Sequence, residues 1–282
     1  MTGPQGPNDN TIMNRSVKIT VLNDNRPSGI LASEHGLSWL IETDGGRVLF
    51  DTGPSDVFLR NARKMEVDLD GIDTIVLSHG HYDHGNGLVY LERKEGEKRT
   101  LICHPEAFAG KYRKGDHGYI GLPLSREEAE EGFDLILTTE PYHVTENILF
   151  LGEIPRTNDF ESKKTSFEKE DGTEDFMADD SGVAVITSKG LIVITGCGHA
   201  GICNTLSHAV KVTGEKRIVA AMGGFHLKYD DNQTQGVVEC FIRMGVEKAF
   251  PSHCTELPAL ARFYAHYRNG FVRSGDVFRF ER

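Results

Sequence analysis

The chain has 282 residues and a formal net charge of −11, from 31 Lys and Arg against 42 Asp and Glu. That acidity argues against a nucleic-acid footprint, which concentrates positive charge. Hydrophobic residues make up 38% and charged residues 26%, which excludes a disordered polymer or a fibre, and no apolar run nears the ~20 residues of a membrane helix.

The amino terminus, MTGPQGPNDNTIMNRS, lacks the apolar stretch of a signal peptide. Residues 1–15 are therefore expected to be a disordered tail on a cytoplasmic protein, with one folded region over 16–282. Residues 17–22, 37–42 and 47–50 read as strands, the last two joined through Asp44-Gly45-Gly46 as a hairpin. Residues 56–65 read as a helix. A short buried strand at 74–77 precedes the richest motif of the chain, and 88–93 suits a helix after it. Residues 100–151 have their own pattern: a strand at 101–103, a helix near 125–131, then strands at 135–137 and 148–151. They read as a small inserted α+β unit. Residues 161–175 are polar and charged, and read as a mobile loop or lid. A second hairpin spans 183–187 and 191–195. Helices follow at 202–212, 237–244 and 257–267, with strands at 217–220 and 248–250. Two hairpin-rich halves with helices outside suggest two sheets packed face to face and covered by helices.

The five cysteines are odd in number and form no C-x-x-C, so reduced thiols are expected. The 12 histidines carry the information. After the strand at 74–77 comes SHGHYDHGNG, in which His79, His81, Asp83 and His84 form H-x-H-x-D-H. His79 and His81, two apart in an extended stretch, point the same way, and the turn after them can return Asp83 and His84 to the same pole. Imidazole and carboxylate suit zinc, and also iron or manganese. Four donors in six residues exceed the three a single catalytic zinc takes from its protein, which favours two cations about 3.5–4 Å apart. Further donors sit just past later strands: Cys197 and His199 in ITGCGHAG, His226 in GGFHL and His253 in PSHCTE. Loops at strand ends collect functional groups. His35 precedes the second strand and faces either the cleft or solvent. Arg156, in GEIPR, reads as a bidentate phosphate anchor or as a surface ion pair.

SHGHYDHGNG resembles the signature of the metallo-β-lactamase superfamily, and LFDTG at 49–53 resembles its first motif. The resemblance implies an αββα sandwich with the metals at one edge of the sheets. It gives Asp51 the role of orienting a ligand rather than binding metal. EHGLS, GEIPR, DDSGVAVIT, TGCGHAGICN, GGFHL and PSHCT are together similar to the branch of dihydropterin–aminobenzene ribofuranosyl phosphate synthases, often described only as metal-dependent hydrolases. That branch implies a ferredoxin-like insertion at 100–151. The chain departs from the superfamily at its third motif, where Met177 to Gly182 contain no histidine, and at the bridging aspartate, matched by Cys197. His199 then stands in for the missing histidine, and Cys197 or Asp180 is an open candidate for a further ligand. The expected division puts His79, His81 and His199 on one metal and Asp83, His84 and His253 on the other. His226 supplies a proton or touches substrate.

The residues together with this resemblance imply a dinuclear metal-dependent hydrolase or a pyrophosphate-releasing transferase. Its substrate is small and anionic or phosphate-bearing, a pterin among the candidates, and a homodimer is left open. The competing readings are a ligand-binding sensor with a structural metal site and a diiron redox protein.

Overall fold

The computed structural model describes residues 16–92, 96–268 and 270–281, so the expected tail at 1–15 lies outside the described residues. Two large sheets dominate. The first has seven strands in the order Val277–Glu281, Ser16–Asn23, Ser38–Thr43, Gly46–Phe50, Thr74–Val76, Arg99–Cys103, Phe133–Leu137. The second has six, in the order Lys248–Ser252, Ile218–Gly224, Gly190–Thr195, Gly182–Thr187, Ile148–Phe150, Tyr142–His143.

Side chains alternate across a strand, and this sorts the apolar residues into three layers. Leu40, Leu49, Ile75 and Leu101 cluster with Phe58 and Ala62 of the helix Val57–Lys64, on the outside of the first sheet. Their neighbours Trp39, Ile41, Val48, Phe50 and Val76 form the middle layer with Val183, Val185, Ile192, Ile194 and Met222 of the second sheet. The outer face of the second sheet, with Leu191, Val193 and Ala221, is covered by the helices Ile202–Thr213, Asn232–Met244 and Leu257–His266. Each fully buried Leu or Ile contributes about 1.5–3 kcal/mol, so both faces of both sheets are held. This is the expected αββα sandwich. Among the described residues no helix is long and apolar enough to cross a membrane.

The segment at 100–151 differs from its expectation as a separate unit. Its strands Arg99–Cys103 and Phe133–Leu137 extend the first sheet in parallel, and Ile148–Phe150 joins the second. The set-apart element is instead a three-stranded sheet of Phe167–Glu168, Tyr112–Arg113 and Gly118–Tyr119. Of the helix expected at 88–93, residue 93 lies outside the described residues, and the rest shows only the end of a short 3-10 segment, Asn86–Tyr90, that follows the motif. The strand Val277–Glu281 had no sequence signal, because only Phe280 of it is fully inward.

Three parallel pairings aim the site. The strands Gly46–Phe50 and Thr74–Val76 run parallel, as do Gly190–Thr195, Ile218–Gly224 and Lys248–Ser252. Parallel neighbours deliver their carboxyl ends to one edge. Residues 51, 78–84, 197–199, 226 and 253 follow those ends.

Candidate metal centre

Asp51 leaves its strand with a left-handed backbone, φ 56°. Its carboxylate accepts from the Ser78 amide and from Ser78 Oγ, both at 2.7 Å, and from His84 Nδ1 at 2.7 Å. Ser78 has given its proton to Asp51, so His79 Nδ1 donates to Ser78 Oγ at 2.9 Å. The resulting relay fixes the tautomer of both histidines and turns the Nε2 lone pairs away from Asp51. His253 obeys the same logic from the other sheet: its Nδ1 donates to Asn25 Oδ1 at 2.9 Å, while Asn25 Nδ2 donates to the His253 carbonyl at 3.0 Å.

The lone pairs converge. His84 Nε2 lies 3.1 Å from His253 Nε2 and 3.2 Å from Cys197 Sγ. His79 Nε2 lies 3.0 Å from His81 Nδ1. Two imidazole nitrogens at such a distance need a cation, proton or metal, between them. Donor atoms of His79, Cys197 and His199 lie within 4.8 Å of one another, as do those of His84, Cys197 and His253, and those of His35, Asp83 and His253. Cys197 belongs to both of the first two groups. Asp83 lies 3.5 Å from His253 Nε2 and 3.9 Å from His84 Nε2.

The site is buried and its electrostatics follow from that. Burial, then neighbouring imidazoles, push His79 and His199 well below the ordinary value, and burial pushes His81 down to about 3. These rings stay neutral, as metal ligands must. Burial works against charge on His84, but Asp51 and Asp83 outweigh it and raise its pKa to about 9. Burial also opposes the Asp83 carboxylate, yet His84, His253 and His35 hold it well below the carboxylate range. Buried polar atoms without a partner include His81 Nε2, His199 Nε2 and His226 Nδ1. The donors are therefore of the right type and partly unsatisfied, His79, His81 and His199 are neutral, and the charge that Asp51 and Asp83 favour on His84 is one a cation would supply in place of the proton, which fits divalent cations.

The structure gathers His79, His81, Asp83, His84, His199 and His253 at one edge, with Cys197 between the two groups. His35 reaches the cleft: its Nε2 lies 3.1 Å from Asp83 Oδ2 while much of the ring stays exposed. His226, on a left-handed backbone with φ 49°, stacks obliquely on His199 at 4.4 Å. Asp180 is buried, with Oδ2 accepting from the Ala200 amide at 2.8 Å, which braces the loop of His199, and Oδ1 without a partner among the described residues. Burial raises its pKa to about 6. Among the described residues Arg156 forms no surface ion pair. Its guanidinium donates to Ser162 Oγ and to the carbonyls of Phe176 and Met177, which ties down both ends of the segment read as a lid.

Sequence reasoning missed four contributors. Cys254 donates to the Cys197 carbonyl at 3.3 Å. Asn25 orients His253. Asp179 accepts from the Gly80 amide, between His79 and His81, at 2.7 Å, and pairs with the buried Lys111 at 2.8 Å. Only the Asp179-Asp180 doublet hinted at this pair, since 68 residues separate the partners. Phe167 packs on His81 at 4.7 Å and on His199 at 5.1 Å, so the 161–175 segment closes over the donors. A cavity of about 490 Å³ lies beneath that segment, with His199 and His226 in its wall.

An αββα sandwich with a histidine-rich edge defines the class, and comparison with known proteins agrees. The metallo-β-lactamase superfamily matches residues 33–206, more than half of the chain. A 7,8-dihydropterin-6-methyl-4-(β-D-ribofuranosyl)-aminobenzene-5'-phosphate synthase of Methanocaldococcus jannaschii is 30% identical over 88% of this chain and 90% of its own. An uncharacterised protein of the same archaeon is 35% identical over 86% and 93%. The crystal structure of Tm1679, described as a metal-dependent hydrolase of the β-lactamase superfamily, is 33% identical with a TM-score of 0.81, over 94% of this chain and 100% of its own. The chain belongs to the metallo-β-lactamase superfamily.

Proposed function

We propose that this chain is a cytoplasmic enzyme that holds two divalent cations, zinc first among the candidates, and acts on a small phosphate-bearing substrate. The leading reaction is the pyrophosphate-releasing transfer that the sequence resemblance implies, supported by likeness to a synthase; hydrolysis is the second reading, favoured by the description of Tm1679. The observation that carries the proposal is Cys197 Sγ standing in two donor groups at once, with His79 and His199 on one side and His84 and His253 on the other. Asp83, beside His253, completes the second group. His81, with Nε2 unpartnered, completes the first.

Bound there, divalent cations would supply Lewis-acid stabilisation of charge on a departing pyrophosphate or a phosphoryl oxygen. The remaining work falls to the chain. Asp51 and Ser78 hold His79 and His84 in the tautomer that presents Nε2. Phe167 shields the donors from water, which strengthens every charge interaction beneath it. His226, half-buried in the cavity wall with Nδ1 free, is placed to give or take a proton at the substrate.

The test is elemental analysis joined to product analysis. Two cations per chain, and pyrophosphate released only when an aryl amine acceptor is present, support the transferase. Release of phosphate or pyrophosphate without acceptor selects hydrolysis. One closed tetrahedral zinc that includes Cys197, with no turnover, makes the site structural. Bound iron with redox activity selects the diiron reading.

A further inference from the structure

The wall of the cavity carries three charges that the metal cluster does not use. Lys163, Lys164 and Lys228 line it. Among the described residues none of the three has an ion-pair or hydrogen-bond partner for its ammonium group. The one carboxylate in that wall, Asp231, already caps the helix Asn232–Met244 by accepting from the Thr234 amide at 3.0 Å. Three positive charges against one negative make this wall basic, in a chain whose net charge is −11. Beside polar side chains such as Ser166 and Gln233, the wall presents the aromatic rings of Phe160, Phe167 and Phe176. Charges lining a low-dielectric cleft focus their field into it.

The lysines are presented on braced backbone. Glu161, immediately before Ser162 and Lys163, is buried and accepts from the Cys203 and Asn204 amides at 3.0 and 3.1 Å. It thereby caps the helix Ile202–Thr213, which has no capping side chain of its own. Arg156 donates to Ser162 Oγ at 3.0 Å. The volume, about 490 Å³, lies within the ~300–1,000 Å³ of small-molecule sites and far exceeds the need of a lone phosphate.

We propose that Lys163, Lys164 and Lys228 form a second anion subsite, which grips a negative group of the substrate remote from the reacting bond, with a flat ring between the two ends lying against Phe167 and Phe176. This rests on the metal cluster being the reaction centre and adds that the substrate is anionic at both ends. An ammonium is a compact point charge on a flexible stem, so the subsite accepts phosphate or carboxylate. Remote binding of this kind can be used to position the reacting group.

The experiment compares phenyl phosphate with 4-(phosphonooxy)benzoate by titration calorimetry on the purified protein, with metal content measured on the same sample. The two-ended probe binds about tenfold tighter, and the gain falls below about twofold in Lys163→Gln/Lys164→Gln and shrinks in Lys228→Gln. Lys189→Gln, on the hairpin turn between Thr187 and Gly190, keeps the gain. Absence of the gain in the wild-type chain, or its survival in both lysine variants, overturns the subsite and leaves the metal reading intact. A lysine-dependent gain in a sample that holds no metal keeps the subsite and overturns the metal reading.

Discussion

On the first sheet, six consecutive residues from His79 to His84 bring four donors on one loop. On the second, Cys197 with His199, then His226, then His253 arrive from the ends of three neighbouring parallel strands. The first arrangement costs little chain entropy to close, because its donors are neighbours in sequence. It needs tight backbone instead: a Cβ on Gly80 would lie 1.8 Å from the Ala107 carbonyl oxygen, and one on Gly87 would lie 2.2 Å from that of Thr52. The second arrangement has no local geometry of its own. It exists only once the sheet has set the strands side by side, and His226 and His253 both sit on left-handed backbone to turn inward. A contiguous motif is thus built by sterics, and a distributed one by topology.

The contrast breaks first at His84, the ring that touches donors from both sides. His84→Ala is expected to lose one of two cations and roughly a thousandfold in turnover, the several kcal/mol that a Lewis acid supplies; metal analysis and steady-state rates check it. Full metal content in that variant would place the second cation elsewhere.

Lys111 tests whether the contiguous loop stands by itself. Its ammonium pairs with Asp179 at 2.8 Å and Asp175 at 3.7 Å, both buried. Lys111→Met leaves two buried carboxylates without a cation, and about 3–5 kcal/mol of stability should go. Adding Asp179→Asn and Asp175→Asn should restore part of it, read by denaturant midpoint. A Lys111→Met protein as stable as its parent would show that the loop needs no support from the small sheet.

Asp51→Asn keeps the shape of the relay and weakens its acceptor. Metal affinity or turnover should fall about 10–100-fold, with the fold unchanged by circular dichroism. An effect of that size on the His79 side as well as the His84 side would show one relay serving both groups.

The smallest effect concerns the distributed half. Burial raises the pKa of Glu161 above its ordinary 4.5, although the amides of Cys203 and Asn204 oppose the shift. From 4.5 up to that raised value, the folded chain holds a proton that the unfolded chain has released. Stability contributed by Glu161 is therefore fully present below 4.5 and declines as pH rises through the raised value. Glu161→Gln should flatten the decline by no more than about 1 kcal/mol, seen as melting temperature against pH. A steeper decline in the variant would assign the dependence to another group.

The same contrast explains what could be read from the chain beforehand. The H-x-H-x-D-H loop, the two hairpins and the covering helices were legible because their signals are local: adjacent donors, period-two apolar strands, turn glycines. The later donors could be nominated, since each follows a strand, but not grouped. Nothing within ITGCGHAG says that Cys197 lies between two sets of imidazoles. Asn25 and Cys254 were invisible, and the Lys111–Asp179 pair barely hinted at, for the same reason, because each acts on a residue far away in sequence. The loop contacts of Arg156 were hidden because a guanidinium that binds three groups of its own loop looks, in one dimension, like any other arginine. The segment 100–151 was set apart because strand pairing across the sandwich leaves no mark on composition.

Gly196 deserves a last consequence. A single methyl there would lie 2.0 Å from Ser78 Oγ and 3.0 Å from Asp51 Oδ2, so the amino-terminal and carboxy-terminal halves of the molecule touch at a spot with no spare atom. Were the polypeptide cut between its halves and the pieces mixed, catalytic competence should reappear only with reassociation across this seam, because neither fragment owns a complete centre.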